Sequence, residues 1–544
     1  MIGRIAWIAW HLHRRGLIGF SAGGFLISFF YGAAFLSTAG TTAESQAAFG
    51  RSVMLVAKQF AFISPLPVHP ETLGGYEQYK WLSGAIIIMM LWAGLAGVGV
   101  GRGDEARGLT EQWIAGGVSR TRLLLTRSCA LGLVLLTACL ASVLGIIAIA
   151  PLVHQDPNVG GELLKAISMT AGLFAGYAIA LLISQLPAER QTATALSIGA
   201  LVVLVLLNGV ADTIDALSWV GIFSPFHWVE QTSSAAPGGR FDLAATLGLG
   251  FAAIAFSAAS ISIFLRRDIG SGLLTWRRRA GAPVRSASNN ILLRLPSGEG
   301  LWEQRFGLGA WVVSTMLLGA LMVSVTKSVA DALLADPAIA AVFQHAAPGP
   351  AYASTLGLLW FGIALLLLAG YAVVQVSRWS AEDQEGRVEM LLSAPVSRTR
   401  VVIERALEFA VASLLIVIGG YLGVAVAAPG SGLNLDAEHL LNASALLWPF
   451  ALAFGGLGVA IVSRWPRIAV PFLAAFAMVE YFLGDLAPLF KLPDWVANLS
   501  VFHLYGQPLT ASPSWGPAAS MAIVFLLGFG AALLLMRRRD VSGA

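Results

Sequence analysis

Apolar residues gather in twelve blocks along this chain, at 17–39, 81–100, 129–151, 166–186, 192–211, 243–265, 306–326, 353–376, 409–428, 441–463, 468–484 and 515–536. Short polar segments separate them. A helix advances about 1.5 Å per residue and the hydrocarbon layer is about 30 Å thick, so each block is long enough to cross it with its backbone amides paired internally. Only the eleventh block holds a charge, Glu480. The pattern predicts an all-α polytopic membrane protein with about 12 transmembrane helices. The first block is too long for a removable signal segment and is read as a span.

Composition agrees: 57% of the 544 residues are hydrophobic and 12% are charged, against about 45–50% and about 25% in soluble chains. Arginine and lysine resist translocation, and most of the 34 fall in loops on the side of both termini, including the Arg triplets at 277–279 and 537–539. Both termini are therefore expected in the cytoplasm, with the chain in a bacterial plasma (inner) membrane. The formal charge of +4 is read as this topology signal plus contacts to anionic membrane lipids, with no nucleic acid as partner. All five lysines, Lys165 among them, fall on the outer side, outside the blocks. Cys129 and Cys139 lie in one block and are read as small buried residues.

The chain also repeats. Gly108, Glu111, Val118, Ser119, Arg120, Thr121, Arg122 and Arg127 recur with the same spacing as Gly386, Glu389, Val396, Ser397, Arg398, Thr399, Arg400 and Arg405. "SQLP" at 184–187 returns as "SRWP" at 463–466, and "WVGIFSPFH" at 219–227 as "WVANLSVFH" at 495–503. Six blocks per copy is an even number, so the copies share one orientation and form two parallel six-helix repeats. The expected organisation is a first six-span half, 1–265, a cytoplasmic linker, 266–305, and a second six-span half, 306–544. "GRIAWIAWHLHRRG" and "GEGLWEQRFG" are each expected to form a short interfacial helix leading into the first span of a half.

The repeated polar segment lies between the second and third spans of each half. In the second copy Val388, Leu391 and Leu392 stand at i, i+3 and i+4, with Glu385, Arg387 and Glu389 on other faces. This predicts a short amphipathic helix along the cytoplasmic membrane surface. Pro395 stops it, and Ser397 is placed to cap the next helix. Arg398 and Arg400 are expected at headgroup level, although cations oppose the dipole at a helix N-terminus.

These residues, Glu385, Gly386, Glu389, Leu391, Leu392, Pro395, Val396, Ser397, Arg398 and Arg400, resemble the cytoplasmic loop of type 2 ATP-binding-cassette (ABC) exporter permeases. The six-span halves are similar too, and the nearest likeness is the fused two-half permease of bacterial antibiotic exporters of the tetronasin-resistance kind. In the first copy Gly117 replaces the proline, and Trp113 and Ile114 replace the leucine pair. The resemblance implies a coupling helix that docks on a separate, soluble ABC ATPase, two copies per permease, with Arg107, Glu111, Ser119, Arg120 and Arg122 doing in the first half what Arg387, Glu389 and their neighbours do in the second. ATP and Mg would belong to that partner. No cofactor is expected in this chain, which has no GxxxxGK[ST] phosphate loop, and no enzyme activity of its own.

The resemblance further implies that the second and fifth spans of each half line the route of a small-molecule, hydrophobic or amphipathic substrate. Carried over, this selects Met89, Met90, Trp92, Trp360, Phe361, Phe472 and Phe476. Glu480, near the outer end of its span, is a candidate for a cationic substrate or a proton. The segments 212–240 and 485–514 are similar to outer re-entrant helices, with His227 and His503 as interfacial residues. No metal site is read from the eight histidines, which include no HExxH and no cysteine partner. The outer loop 40–80 is expected to form an amphipathic cap. A secondary transporter of the major-facilitator kind, driven by an ion gradient, shares the twelve spans and parallel repeats and stays open as the alternative.

Overall fold

A computed structural model of the chain describes residues 2–59, 64–213, 215–273, 296–334, 340, 349–384, 386–489, 493–510 and 515–539. Two compact units divide it, Met1–Gly281 and Ala282–Ala544. The first contains α1 (Ile2–Ala39), α2 (Ala43–Gln59), α3 (Leu73–Ala106), α4 (Leu109–Ala115), α5 (Arg120–Val153), α6 (Val159–Ile183), α7 (Arg190–Thr213), α8 (Pro225–Glu230) and α9 (Leu243–Arg266). The second contains α10 (Pro296–Glu303), α11 (Arg305–Leu334), α12 (Ala351–Gln384), α13 (Arg387–Ser393), α14 (Arg398–Gly430), α15 (Ala437–Arg464), α16 (Pro466–Leu489), α17 (Asp494–Ala497), α18 (Val501–Tyr505) and α19 (Trp515–Arg537).

Every apolar block falls on one of these helices, the fourth running three residues past the end of its helix at Ile183. Eleven of them are long and apolar enough to cross a membrane; α16, 24 residues long, holds the remaining block. The protein is thus an all-α polytopic membrane protein, and the described residues contain no strand. The second span of each half is not a regular helix: one π-helical turn widens α3 at Trp81–Ala85 and another widens α12 at Gly357–Phe361. A second such turn, Gly99–Gly103, occurs in α3.

The helices outrun the apolar blocks, and this relocates three charges. Glu77 falls within α3, and Glu162 and Lys165 within α6, all three buried. The Lys165 ammonium pairs with Glu77 and, at 2.6 Å, with Glu162. Ser28 donates to Glu77 (2.8 Å) and receives the Trp81 indole N–H (2.7 Å). Lys165 therefore does not sit beyond a span, as expected, because two carboxylates offset the cost of taking it out of water.

Smaller differences follow local chemistry. At the start of the chain α1 runs unbroken from Ile2 to Ala39, so no separate interfacial helix precedes the first span. The second half does have a distinct α10 before α11. Part of the outer loop forms α2, whose Phe49 meets Phe35 and Tyr76 in an aromatic cluster with ring centroids 5.4–5.8 Å apart. Cys139 is buried as expected, whereas Cys129 is exposed.

Candidate functional site

The repeated polar segments form α4 and α13, seven residues each. Each begins at a glycine in the left-handed region, Gly108 (φ 68°) and Gly386 (φ 73°), where a β-carbon would be strained. Equivalent positions face alike: Thr110 and Val388 are buried, Ile114 and Leu392 half-buried, Trp113 and Leu391 exposed. Only part of the expected Val388–Leu391–Leu392 stripe is therefore covered. Glu111, Glu389 and Met390 are exposed as well, and Arg107 and Arg387 stand at the exposed helix starts. Glu385 lies outside the described residues. The segment then turns at Gly117 (φ 82°) in the first half and at Pro395 in the second.

Two serines cap the helices that follow. Ser119 accepts the Arg122 amide (3.3 Å) and Ser397 accepts the Arg400 amide (3.2 Å), satisfying one of the free donors of α5 and of α14. Arg122 projects outward, and Arg400 pairs with Glu404 one turn on, at 2.7 Å.

Arg120 and Arg398 resolve the apparent conflict of a cation at a helix start. Arg120 donates to the carbonyls of Phe264 (3.1 Å) and Arg267 (2.8 Å), at the C-terminus of α9. Arg398 donates to those of Met536 (3.3 Å), Arg537 (3.1 Å) and Arg539 (2.6 Å), at the C-terminus of α19. Each thus serves the negative end of a neighbouring dipole and its orphan carbonyls. The partner helix is the sixth span of the same half in both cases.

Further contacts repeat around this joint. Arg127 of α5 pairs with Asp104 of α3 (2.9 Å), and Arg405 of α14 approaches Glu382 of α12 (3.4 Å). Beyond the sixth span, Arg267 donates to both oxygens of Glu105 (2.5 and 3.0 Å), and Arg539 grips both oxygens of Asp383, one of them at 2.6 Å. Arg107 completes the first copy by pairing with Asp104 at 2.7 Å. The end of span two, the start of span three and the end of span six are thereby clamped together in each half, beside the surface helix that links the first two.

The two clamps differ in surroundings. In the first, Arg102 adds a buried cation: it donates to Glu105 (2.7 Å) and to the carbonyls of Ser184 (3.2 Å) and Ser271 (2.8 Å). In the second, Arg378 bridges Glu303 (3.3 Å), Glu382 (3.3 Å) and Glu408 (3.0 Å), while Gln304 donates to Glu408 (2.8 Å). This ties the elbow between α10 and α11 to the joint. The bond to Asp383, followed by the charges of Asp383 and Glu389, raises the Arg539 pKa against the effect of burial. In the first half His13 takes the elbow position, where burial, then the charge of Arg127, push its pKa down to about 4.

The residues assigned to a substrate route are placed less uniformly. Met89, Met90, Trp360 and Phe361 are buried within their own halves. Met90 fills the room left by Gly176, Trp360 lies on Gly319 and Gly420, and Phe361 stacks on Tyr505 (6.1 Å). Trp92 stacks on Phe20 (3.5 Å between ring centroids). Phe472 is exposed and parallel to the half-buried Phe476 (6.4 Å). Glu480 is buried: its carboxylate accepts the Val501 amide (2.7 Å) and its carbonyl accepts the Ser500 hydroxyl (2.7 Å), pinning α18 to α16.

The arginine-to-carbonyl contacts escape sequence reasoning, because they require knowing that span six ends beside span three. Their one signal was the return of Arg120 as Arg398 at the same place, a helix start where a cation opposes the dipole. The family model described as "Multidrug efflux system permease Rv1217c, C-terminal domain" matches residues 6–264 and 293–537. No curated protein matches the chain.

Proposed function

Because the chain belongs to the multidrug efflux system permease family, and is on that ground a transport permease, we propose that it is the membrane subunit of an ABC exporter driven by two copies of a separate ATPase. Its cargo is a hydrophobic or amphipathic small molecule, and ATP and Mg act on the partner. The observation that carries the proposal is the repeated joint: a surface helix set between spans two and three, which are themselves clamped to span six of the same half, in register in both copies.

Such a joint suits a lever. Trp113, Met390 and Leu391 expose apolar surface beside Glu111 and Glu389, a mixture suited to docking a protein partner. Displacing α4 or α13 would carry three spans with it, because each clamp arginine holds either carbonyls or a carboxylate of another helix. Alternating access then follows from ATP-driven movement of the two levers.

Reconstitution in vesicles tests this. Transport is expected only with the ATPase and ATP present, and Glu389→Arg is expected to uncouple hydrolysis from export while the chain stays inserted. Uphill transport by the chain alone, on a proton or sodium gradient, would establish the secondary-transporter alternative instead.

A further inference from the structure

We infer that the first half carries a divalent-cation site, suited to Zn²⁺ or Mn²⁺, formed by Asp212, His227 and Glu230 with Asn208. It stands where α7 ends and the re-entrant α8 follows, on the face of the first half opposite α4. Nothing in the lever mechanism uses these residues.

The geometry brings two helical pairs together. Asn208 and Asp212 are four residues apart on α7; His227 and Glu230 are three apart on α8. One ligand atom from each of Asp212, His227 and Glu230 lies within 4.8 Å of the others, and His227 Nδ1 is 3.8 Å from Asp212 Oδ1. Ligands around a tetrahedral zinc ion stand roughly 3.5 Å apart, given bond lengths of about 2.0–2.2 Å, so a contraction of about 1 Å closes the site. One imidazole and two carboxylates form a nitrogen–oxygen donor set that favours first-row divalent metals over Ca²⁺ or Mg²⁺.

Asn208 supplies the independent observation. It is 3% exposed, and its amide nitrogen donates to both Glu230 oxygens (2.9 and 3.0 Å) and to Asp212 (3.1 Å). Its amide oxygen is buried without a hydrogen-bond partner. Turning the amide over would aim that oxygen between the two carboxylates, an arrangement that is repulsive unless a cation stands there. Glu230 also borders a cavity of about 30 Å³, lined further by Gln78, Tyr79 and Ser233, with room for about one water.

The second half lacks this set. The register that pairs "WVGIFSPFH" with "WVANLSVFH" keeps the histidine as His503 but puts Gly484 opposite Asn208 and Gly506 opposite Glu230. His503 is therefore an internal control. A bound ion would fasten the re-entrant segment of the first half to its fifth span.

The test uses the purified full chain, prepared without a histidine tag and titrated separately with ZnCl₂ and MnCl₂ by calorimetry, with thermal unfolding in parallel. One saturable equivalent is expected, with a raised unfolding temperature. Affinity should fall at least roughly tenfold in His227→Ala and in Asp212→Asn, and stay unchanged in His503→Ala. Asp212→Asn keeps the test decisive should His227→Ala not fold. Absence of a saturable equivalent in the unaltered chain, or binding of equal strength in whichever variants fold, would overturn the site.

Discussion

The ion pair that ties the end of span six to span two is dry in the first half and reaches water in the second. Side-chain exposure is 1–2% for Arg102, Glu105 and Arg267, but 18% for Arg539 and 24% for Arg378. The lever attachments differ as well. In the first half the glycine-rich π-turn Gly99–Gly103 lies just before α4, which Gly116 and Gly117 follow; in the second, regular helix leads toward α13 and Pro395 follows it. Duplication has kept the joint and varied its setting: a buried anchor beside a glycine-flanked surface helix in one copy, a partly water-exposed anchor beside a proline-stopped one in the other.

The strongest way to break this comparison is to remove one carboxylate from each clamp. Glu105→Gln strands two buried guanidinium groups and should cost about 3–5 kcal/mol. Asp383→Asn, whose partner reaches water, should cost about 1–2 kcal/mol. Equal losses in thermal unfolding of the detergent-purified chain would refute the distinction.

Acid should sharpen it. His13 has a folded pKa of about 4 against an ordinary 6.5, so its contribution is present above about pH 6.5 and is lost as pH falls toward 4. By pH 5 the loss should reach roughly 1–2 kcal/mol, allowing for partial exposure. Replacing His13 by Gln, the residue that precedes the corresponding arginine as Gln304 in the second half, should flatten stability between pH 7 and 5. A wild-type slope in His13→Gln would assign the effect elsewhere.

The smallest effect tests what the halves share. Ser119→Ala and Ser397→Ala each remove one cap and should each cost about 1 kcal/mol. A clear inequality in their unfolding temperatures would show that the two helix starts are not equivalent.

The sequence made the helices legible because bilayer thickness sets their length and apolar runs report it directly. It also revealed the surface helix of the second half and the cap at Ser397 on the helix that follows, which depend on neighbours within four residues. Long-range ionic contacts were beyond it. Lys165 looked like an outer-loop cation because hydropathy cannot tell a solvated lysine from one between Glu77 and Glu162. Arg398 looked misplaced for the same reason: its acceptors lie more than a hundred residues away. The "HWVE" segment sets histidine and glutamate one helical turn apart, the local spacing on which the proposed cation site draws, but its other members on α7 are distant in sequence.

The wide turn at Trp81–Ala85 has a bearing on Glu77, which lies just before it. Such a turn holds one residue more than an ordinary one, and each residue sweeps about 100° around the axis. Wound as ordinary α-helix, the same residues would turn the leading end of α3 by about that angle and carry Glu77 away from Lys165; the wide turn absorbs the extra residue instead. An apparent irregularity in the winding is thus the aiming device for a buried charge.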